Sequence, residues 1–313
     1  MNINPNSKLK NNFWRDVRFW RIAMQIGVLG LLAIAILILW DNLDYNLEQR
    51  GIELGFDFLR SQASFEIGEK PIPYTPADSY LLALLLGLLN SLRVMVAGII
   101  LTTIVGVSMG IARLSDNWLV RNLSLIYVET FRNTPLLVQL LFWYLAIFLG
   151  AAKTAGKIQL FGFISLTGNG LEIFGIVLSP EFGALLIGLT CYTGAFIAEI
   201  VRAGIQSVPR GQWEAARSLG LKPSLAMRLV IFPQALRVII PPLTSQYLNL
   251  AKNSSLASAI GYPDVYFVAS TTFNQTGRVV EVMLLLIGTY LTISLSIAGG
   301  MNLLNRYVQI KER

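Results

Sequence analysis

A chain of 313 residues that is 54% hydrophobic and only 14% charged, with a mean hydropathy of +0.58, lacks the roughly 25% of charged residues usual in a soluble domain. Histidine is absent and the one cysteine, Cys191, sits in an apolar run as a packing residue, which excludes histidine bases, histidine metal ligands and an internal disulfide. The net charge of +7 is dispersed between apolar segments, so it fits membrane orientation and not a nucleic-acid surface.

A membrane-spanning helix needs about 20 predominantly apolar residues. Six segments qualify: 22–40, 80–112, 122–150, 180–204, 229–251 and 279–303. The first carries no charge and is flanked by Trp14, Trp20 and Trp40, the residues that settle at membrane interfaces. It follows a basic run of about 20 residues and ends at Trp40-Asp41 without a small-residue cleavage site, so it reads as a retained helix and not a signal peptide. The second segment exceeds one span, which predicts a short interfacial turn leading into it. Pro135 is expected to break the third by removing a helical hydrogen bond, with Asn133 and Thr134 taking up freed backbone groups. The fifth contains Arg237, Pro241 and Pro242 and is expected to bend.

The loops orient these spans. Lys8, Lys10, Arg15, Arg18 and Arg21 precede the first span against Asp16, whereas residues 41–79 hold eight acids and three bases. The loop after the fourth span carries Arg202, Arg210, Arg217, Lys222 and Arg228 against Glu214, and the tail carries Arg306, Lys311 and Arg313 against Glu312. Excess lysine and arginine marks the cytoplasmic side, which puts both termini inside. The organisation expected is a cytoplasmic tail (1–21), an N-terminal transmembrane helix (22–40), an external acidic segment (41–79) as the only sizeable polar insertion, a permease domain (80–305) and a cytoplasmic tail (306–313). The fold class is all-α, a polytopic membrane protein of about six transmembrane helices.

The most informative stretch is Ser207-Val-Pro-Arg-Gly-Gln-Trp-Glu-Ala-Ala-Arg-Ser-Leu-Gly-Leu-Lys-Pro223. Pro209 suits a helix start, Gly220 suits the left-handed residue that ends a helix, and Pro223 discourages its resumption. A two-turn helix of this kind is unstable alone in water and needs a partner. Read from these residues alone, it is also compatible with an ordinary interfacial helix.

Glu214-Ala215-Ala216, then Gly220, then Ile231-Phe232-Pro233, resembles the EAA…G…I.LP loop of permeases in binding-protein-dependent ATP-binding-cassette importers, with Phe232 in place of the common leucine. Glu129-Thr-Phe-Arg-Asn-Thr-Pro-Leu-Leu-Val-Gln139, Ala195-Phe-Ile-Ala-Glu-Ile-Val-Arg-Ala-Gly204 and Lys252-Asn-Ser-Ser-Leu-Ala-Ser-Ala-Ile-Gly261 are similar to segments of the polar amino-acid class. The first span and the acidic segment look like additions seen in general L-amino-acid permeases. The resemblance implies a five-helix core plus one N-terminal helix, and a cytoplasmic coupling helix at Glu214, Ala215, Ala216, Gly220 and Pro233 that docks on an ATPase. It implies the partners: a dimer of cytoplasmic ATPases, a second permease subunit (identical or homologous), an external substrate-binding protein, and an amino-acid substrate crossing the inner membrane. ATP and magnesium would be used by those ATPases; no cofactor is expected on this chain, which has no GxxxxGK(S/T) phosphate cradle and is not expected to be an enzyme.

Charges within spans are costly and face a cavity or a partner. Glu129 with Arg132, and Glu199 with Arg202, are expected to pair within one turn. Gln246, Asn249, Asn253 and Ser254 recur at helical spacing and offer donors and acceptors for an amino-acid zwitterion; interhelical hydrogen bonding is the competing reading. Pro135 joins them as a candidate for the substrate pathway, since interrupted helices line such pathways. Where family members that carry cationic amino acids often have aspartate, this chain has Asn253, which points to neutral or mixed substrates. An ion-driven transporter, which Glu129 and Glu199 would serve, and a membrane-embedded enzyme are the rival classes.

Overall fold

The computed structural model of the chain describes residues 17–49, 54–152, 154, 156–161 and 164–308. Trp14, the bases Lys8, Lys10 and Arg15, and the tail residues Lys311 and Arg313 lie outside them. The chain forms two units, divided at Gly55–Phe56. In the first unit, helix α1 runs over Val17–Gln49, with its apolar span at Phe19–Asn46, longer than the 22–40 expected. Nothing interrupts it because the segment carries neither proline nor a charge between Ile22 and Trp40.

The second unit begins with a folded segment. A short 3-10 turn at Asp57–Arg60 is followed by an irregular loop closed by the Gln62–Ser79 bridge. Tyr74 donates its hydroxyl to the Phe65 carbonyl (2.9 Å), and Ala63, Ile67 and Tyr74 bury themselves with Tyr80, Ala83 and Leu86. Helix α2 follows as one element, Tyr80–Ala112, capped by Ser79 through the Leu82 amide. No interfacial turn precedes it: at 33 residues it is about 50 Å long, and the extra length packs on the folded segment before it.

The third predicted span is two helices. α3 (Trp118–Arg132) and α4 (Leu136–Leu141, continued with π-helical winding through Phe142–Ala152) meet at about 105° across Asn133–Pro135. The four antiparallel strands that follow were not expected, and they make a second segment, besides that before α2, that lies outside the candidate spans. They are β1 (Lys157–Phe161), β2 (Ile164–Thr167), β3 (Gly170–Ile173) and β4 (Ile176–Leu178), in the order β1-β2-β3-β4. Leu166 and Leu171 oppose each other across β2–β3 and are buried on Phe148 and Phe182. The β3–β4 turn is Phe174-Gly175, with φ of 49° and 83°, the backbone sense that tight hairpin turns require.

Helix α5 (Pro180–Gln206) is capped by Ser179 with proline in its first turn. α6 (Arg210–Ser218) and α7 (Pro223–Ala226) lead through a π-helical turn, Met227–Ile231, into α8 (Phe232–Asn253). The helical winding does not stop at Pro241-Pro242. A 3-10 stretch (Ser254–Ile260), α9 (Val265–Thr276) and α10 (Val279–Val308) complete the unit. Among the described residues five helices are long and apolar enough to span a membrane, six spans if α3 and α4 count as one.

The core is built on α5. A Cβ on Gly106 of α2 would lie 2.5 Å from Ile197, and one on Gly110 2.7 Å from the Ala198 carbonyl. Gly204 admits Ile239 of α8 in the same way, at 2.3 Å. α2 and α5 therefore run in the same direction, from the sheet end towards the 207–223 loop. α8 returns between them and α10, its Tyr247 hydroxyl 2.6 Å from that of Thr103.

Candidate coupling helix and translocation path

At the loop end, α6 packs one side on the bundle and leaves the other exposed. Pro209 occupies the position before its first turn and accepts from the Gln212 amide (3.0 Å). The helix ends with two bonds: Leu221 donates to Ala216 (3.1 Å) and Gly220 to Arg217 (2.9 Å), with Gly220 at φ 71°. These are the bonds of a Schellman closure, which needs a left-handed residue. Pro223 does not stop the helix; it opens α7 in a new direction, since a proline lacks the N–H that a first turn leaves unpaired.

The sides of α6 differ. Ala216 is buried and Trp213 packs against the α5–α8 cluster. Glu214, Ala215 and Gly220 are exposed, and Leu219 beside them is 79% exposed. Glu214 makes no ion pair among the described residues, so its carboxylate is open to a donor on another surface. Pro233 sits two residues after the π-helical turn, in the first turn of α8, a place where irregular winding relieves the missing donor. The next residue, Gln234, donates to Gln212 of α6 (3.1 Å) and to the Val230 carbonyl (2.9 Å). That tie between α6 and α8, 22 residues apart, was not readable from the loop itself.

A carboxylate just inside the bundle at this end gathers arginines from two helices. Glu199 accepts from Arg202, as its spacing predicts, and also from Arg113 at the end of α2. Arg132 does not pair with Glu129: its guanidinium lies over the Phe196 ring (5.2 Å), and Glu129 accepts instead from Asn133 (3.1 Å).

The path candidates divide. Gln246 and Asn253 are partly exposed and Asn249 exposed, along one side of α8. Ser254 is not on that side. It is buried and donates to the Ala251 carbonyl (2.8 Å), because eight residues advance a helix by somewhat more than two turns and carry it to the Tyr247–Leu250 face. Pro135 is exposed at the start of α4, and the following residues Leu136 and Leu140 share a cluster with Ala257 and Ile260. The break therefore neighbours the 254–260 turn. Thr134 takes up the Thr130 carbonyl (2.8 Å), while Gln139, which the sequence did not single out, donates to both Phe131 (2.9 Å) and Thr134 (3.0 Å).

At the sheet end, Glu69 of the folded segment accepts from Arg93 of α2 (3.2 Å), and the Arg93 guanidinium lies 5.3 Å from the Phe182 ring centre. Asn90 donates to the Glu69 and Pro263 carbonyls, 3.0 Å each. Asp264 is buried, and its Oδ1 accepts from the Phe267 amide (2.8 Å) as the cap of α9, while Oδ2 has no hydrogen-bond partner among the described residues. Burial raises its pKa from 3.8 to about 7. An apolar groove of about 670 Å³ separates α2 from α10. Its lining, Leu88, Val96 and Ile293 among others, has no charged group to recognise a zwitterion. Among the described residues no three His, Cys, Asp or Glu side chains converge as metal ligands.

Residues 80–310 match the family described as binding-protein-dependent transport system inner membrane component. The putative amino-acid ABC transporter permease protein YhdX of Escherichia coli (strain K12) is 39% identical, with 95% of each chain covered. The general L-amino acid transport system permease protein AapQ of Rhizobium johnstonii is 37% identical over 95% of this chain and 94% of its own. Among solved structures, an amino acid ABC transporter crystallised with histidines is 30% identical, with a TM-score of 0.58 over 73% of this chain and 95% of that one. The MetNI methionine ABC transporter in an inward-facing form shares the fold at 18% identity and a TM-score of 0.57, over 74% and 98% of the two chains. A match over three quarters of the length and relatives aligned nearly end to end leave one assignment: the chain belongs to the family of binding-protein-dependent transport system inner membrane components.

Proposed function

We propose that this chain is the permease subunit of an ATP-driven importer of amino acids. The observation that carries the reading is α6: a short, glycine-closed helix with one buried face, an exposed Glu214-Ala215 edge and a carboxylate that makes no ion pair among the described residues. Such an element is completed by a partner groove. In this reading the partner is a pair of cytoplasmic ATPases that bind ATP and magnesium, while this chain binds no cofactor. Glu214, Ala215, Ala216, Gly220 and Pro233 transmit the stroke, through the α6–α8 tie, to the spans. A second permease subunit, identical or homologous, completes the pathway, and an external binding protein delivers the substrate at the sheet end. Both termini and the 207–223 loop lie in the cytoplasm, and the 41–79 segment lies outside.

The substrate pathway passes along Gln246, Asn249 and Asn253, near the break at Pro135, with Ser254 holding the turn behind them. The names of the relatives support amino acids as cargo, and uncharged amides at these positions support neutral or mixed amino acids. Uptake of labelled leucine, glutamine, histidine, glutamate and arginine in cells lacking the gene tests both parts. The intact chain restores uptake and a Glu214→Lys, Gly220→Asp double variant does not; equal uptake by both would reject coupling through α6 and favour an ion-driven carrier. An unchanged arginine-to-leucine ratio in Asn253→Asp would reject the neutral lining.

A further inference from the structure

The small sheet has an amphipathic build whose apolar face does not end where the protein does. One face carries Leu166, Leu171 and Leu178, and the register sets Ile164, Ile173 and Ile176 beside them in the next row. The first part of this face is covered: Leu171 meets Phe148, at the end of the α4 segment, and Gly183, in the first turn of α5. Both contacts belong to segments long and apolar enough to span a membrane, the α4 segment together with α3. The sheet therefore lies across the ends of two spans with its apolar face towards the bilayer.

At the β3–β4 turn that face overhangs. Ile176 is 66% exposed and Phe174, in the turn, 76%, and no charged residue occurs between Glu172 and Glu181. The polar residues cluster at the opposite side of the sheet, where Lys157 pairs with Glu172 (2.7 Å). β4 also ends two residues before α5 begins, so the tip stays within about 20 Å of the start of that span. Aromatic and aliphatic side chains at that depth are favoured at the bilayer interface.

We propose that the β3–β4 turn is a lipid anchor: Phe174 and Ile176 insert into the interfacial layer of the bilayer beside α5, holding the sheet against the ends of the two spans. The occupant is phospholipid, because the overhanging face continues a surface already seated on membrane-embedded residues. A protein partner at the same tip is the alternative that the test separates.

The chain has one cysteine, Cys191, so a Cys191→Ala background allows single labels. Nitroxide is placed at Phe174→Cys or Ile176→Cys, and at Asn169→Cys on the other hairpin turn, in nanodiscs of phosphatidylcholine and phosphatidylglycerol. At 174 and 176, collisions with oxygen are expected to exceed those with a water-soluble nickel chelate several-fold, and the order should invert at 169. Nickel-dominated collisions at 174 and 176 would overturn the anchor. Benzoylphenylalanine at 174 in the assembled transporter gives a second reading that needs no cysteine change. A phospholipid adduct is expected, and an adduct to a polypeptide would replace the anchor with a protein contact.

Discussion

Gly106 and Gly110 set the distance between α2 and α5, since a methyl group at either would meet Ile197 or the Ala198 carbonyl well inside contact distance. Neither neighbour can swing away: one is a β-branched stem, the other backbone. Gly106→Ala should destabilise the purified protein by about 1–3 kcal/mol, the usual cost of overpacking, and lower its melting temperature in detergent. Gly299→Ala, where a Cβ meets nothing within 4 Å, should leave it unchanged or raise it, because alanine is the better helix former by about 1 kcal/mol. Asp264 makes a different prediction. Its folded pKa of about 7 lies above the unfolded 3.8, so the folded protein holds a proton that the unfolded chain releases. Stability from this group is present in full below pH 4 and is lost as pH rises to 7. Asp264→Asn keeps an oxygen for the Phe267 amide and an equally good cap. Its melting temperature should vary less between pH 5 and 8 than that of the wild type, and exceed it at pH 8.

Among the elements, α6 is held by chemistry local enough to be read in advance. Pro209 before the helix, and Gly220 with its left-handed φ, are visible as letters and act within a few residues. Gly220→Ala retains the helix but strains its exit by about 1 kcal/mol. It should reduce uptake while leaving the amount of protein in the membrane unchanged, as immunoblotting of membranes would show. The sheet was illegible for a physical reason. Strands of three to five residues vanish in the 20-residue windows that find spans, and short apolar runs look alike whether they become strand or loop. Its signals, Gly168-Asn169-Gly170 and Phe174-Gly175, lie in the turns. Gly170 at φ 129° has no room for a Cβ, which would lie 1.8 Å from the Leu178 carbonyl oxygen. Ser254 was misplaced because it directly follows Asn253, and a single residue turns a helix by about 100°. Gln139 was missed because the carbonyls it reaches are freed by a proline four residues earlier.

At the scale of the molecule, Glu199 accepts from Arg113, 86 residues earlier, a pairing that only the fold reveals. Glu199→Gln leaves two guanidinium groups short of a carboxylate. It should cost about 1–3 kcal/mol, read as a lower melting temperature, and adding Arg113→Ala should cost less than the sum of the two changes. The number of the spans was legible because hydropathy acts along the whole chain. The folded segment before α2 was not. Its acidic composition says nothing of its seat, which depends on residues far downstream.

That distance has a consequence for how the molecule is made. Tyr80 donates to Gln275, 195 residues later (2.9 Å); Asn90 donates to Pro263, and Ser91 accepts from Val265. A ribosome adding about 5–20 residues each second delivers the partners of this early segment roughly 10–40 s after the segment itself. Until then Asn90 and Ser91 wait at the head of a helix already in the bilayer, with buried polar groups unmatched. Closure of this contact is among the last events of synthesis, so a nascent chain halted before α9 should remain open there to protease, and a finished one should not.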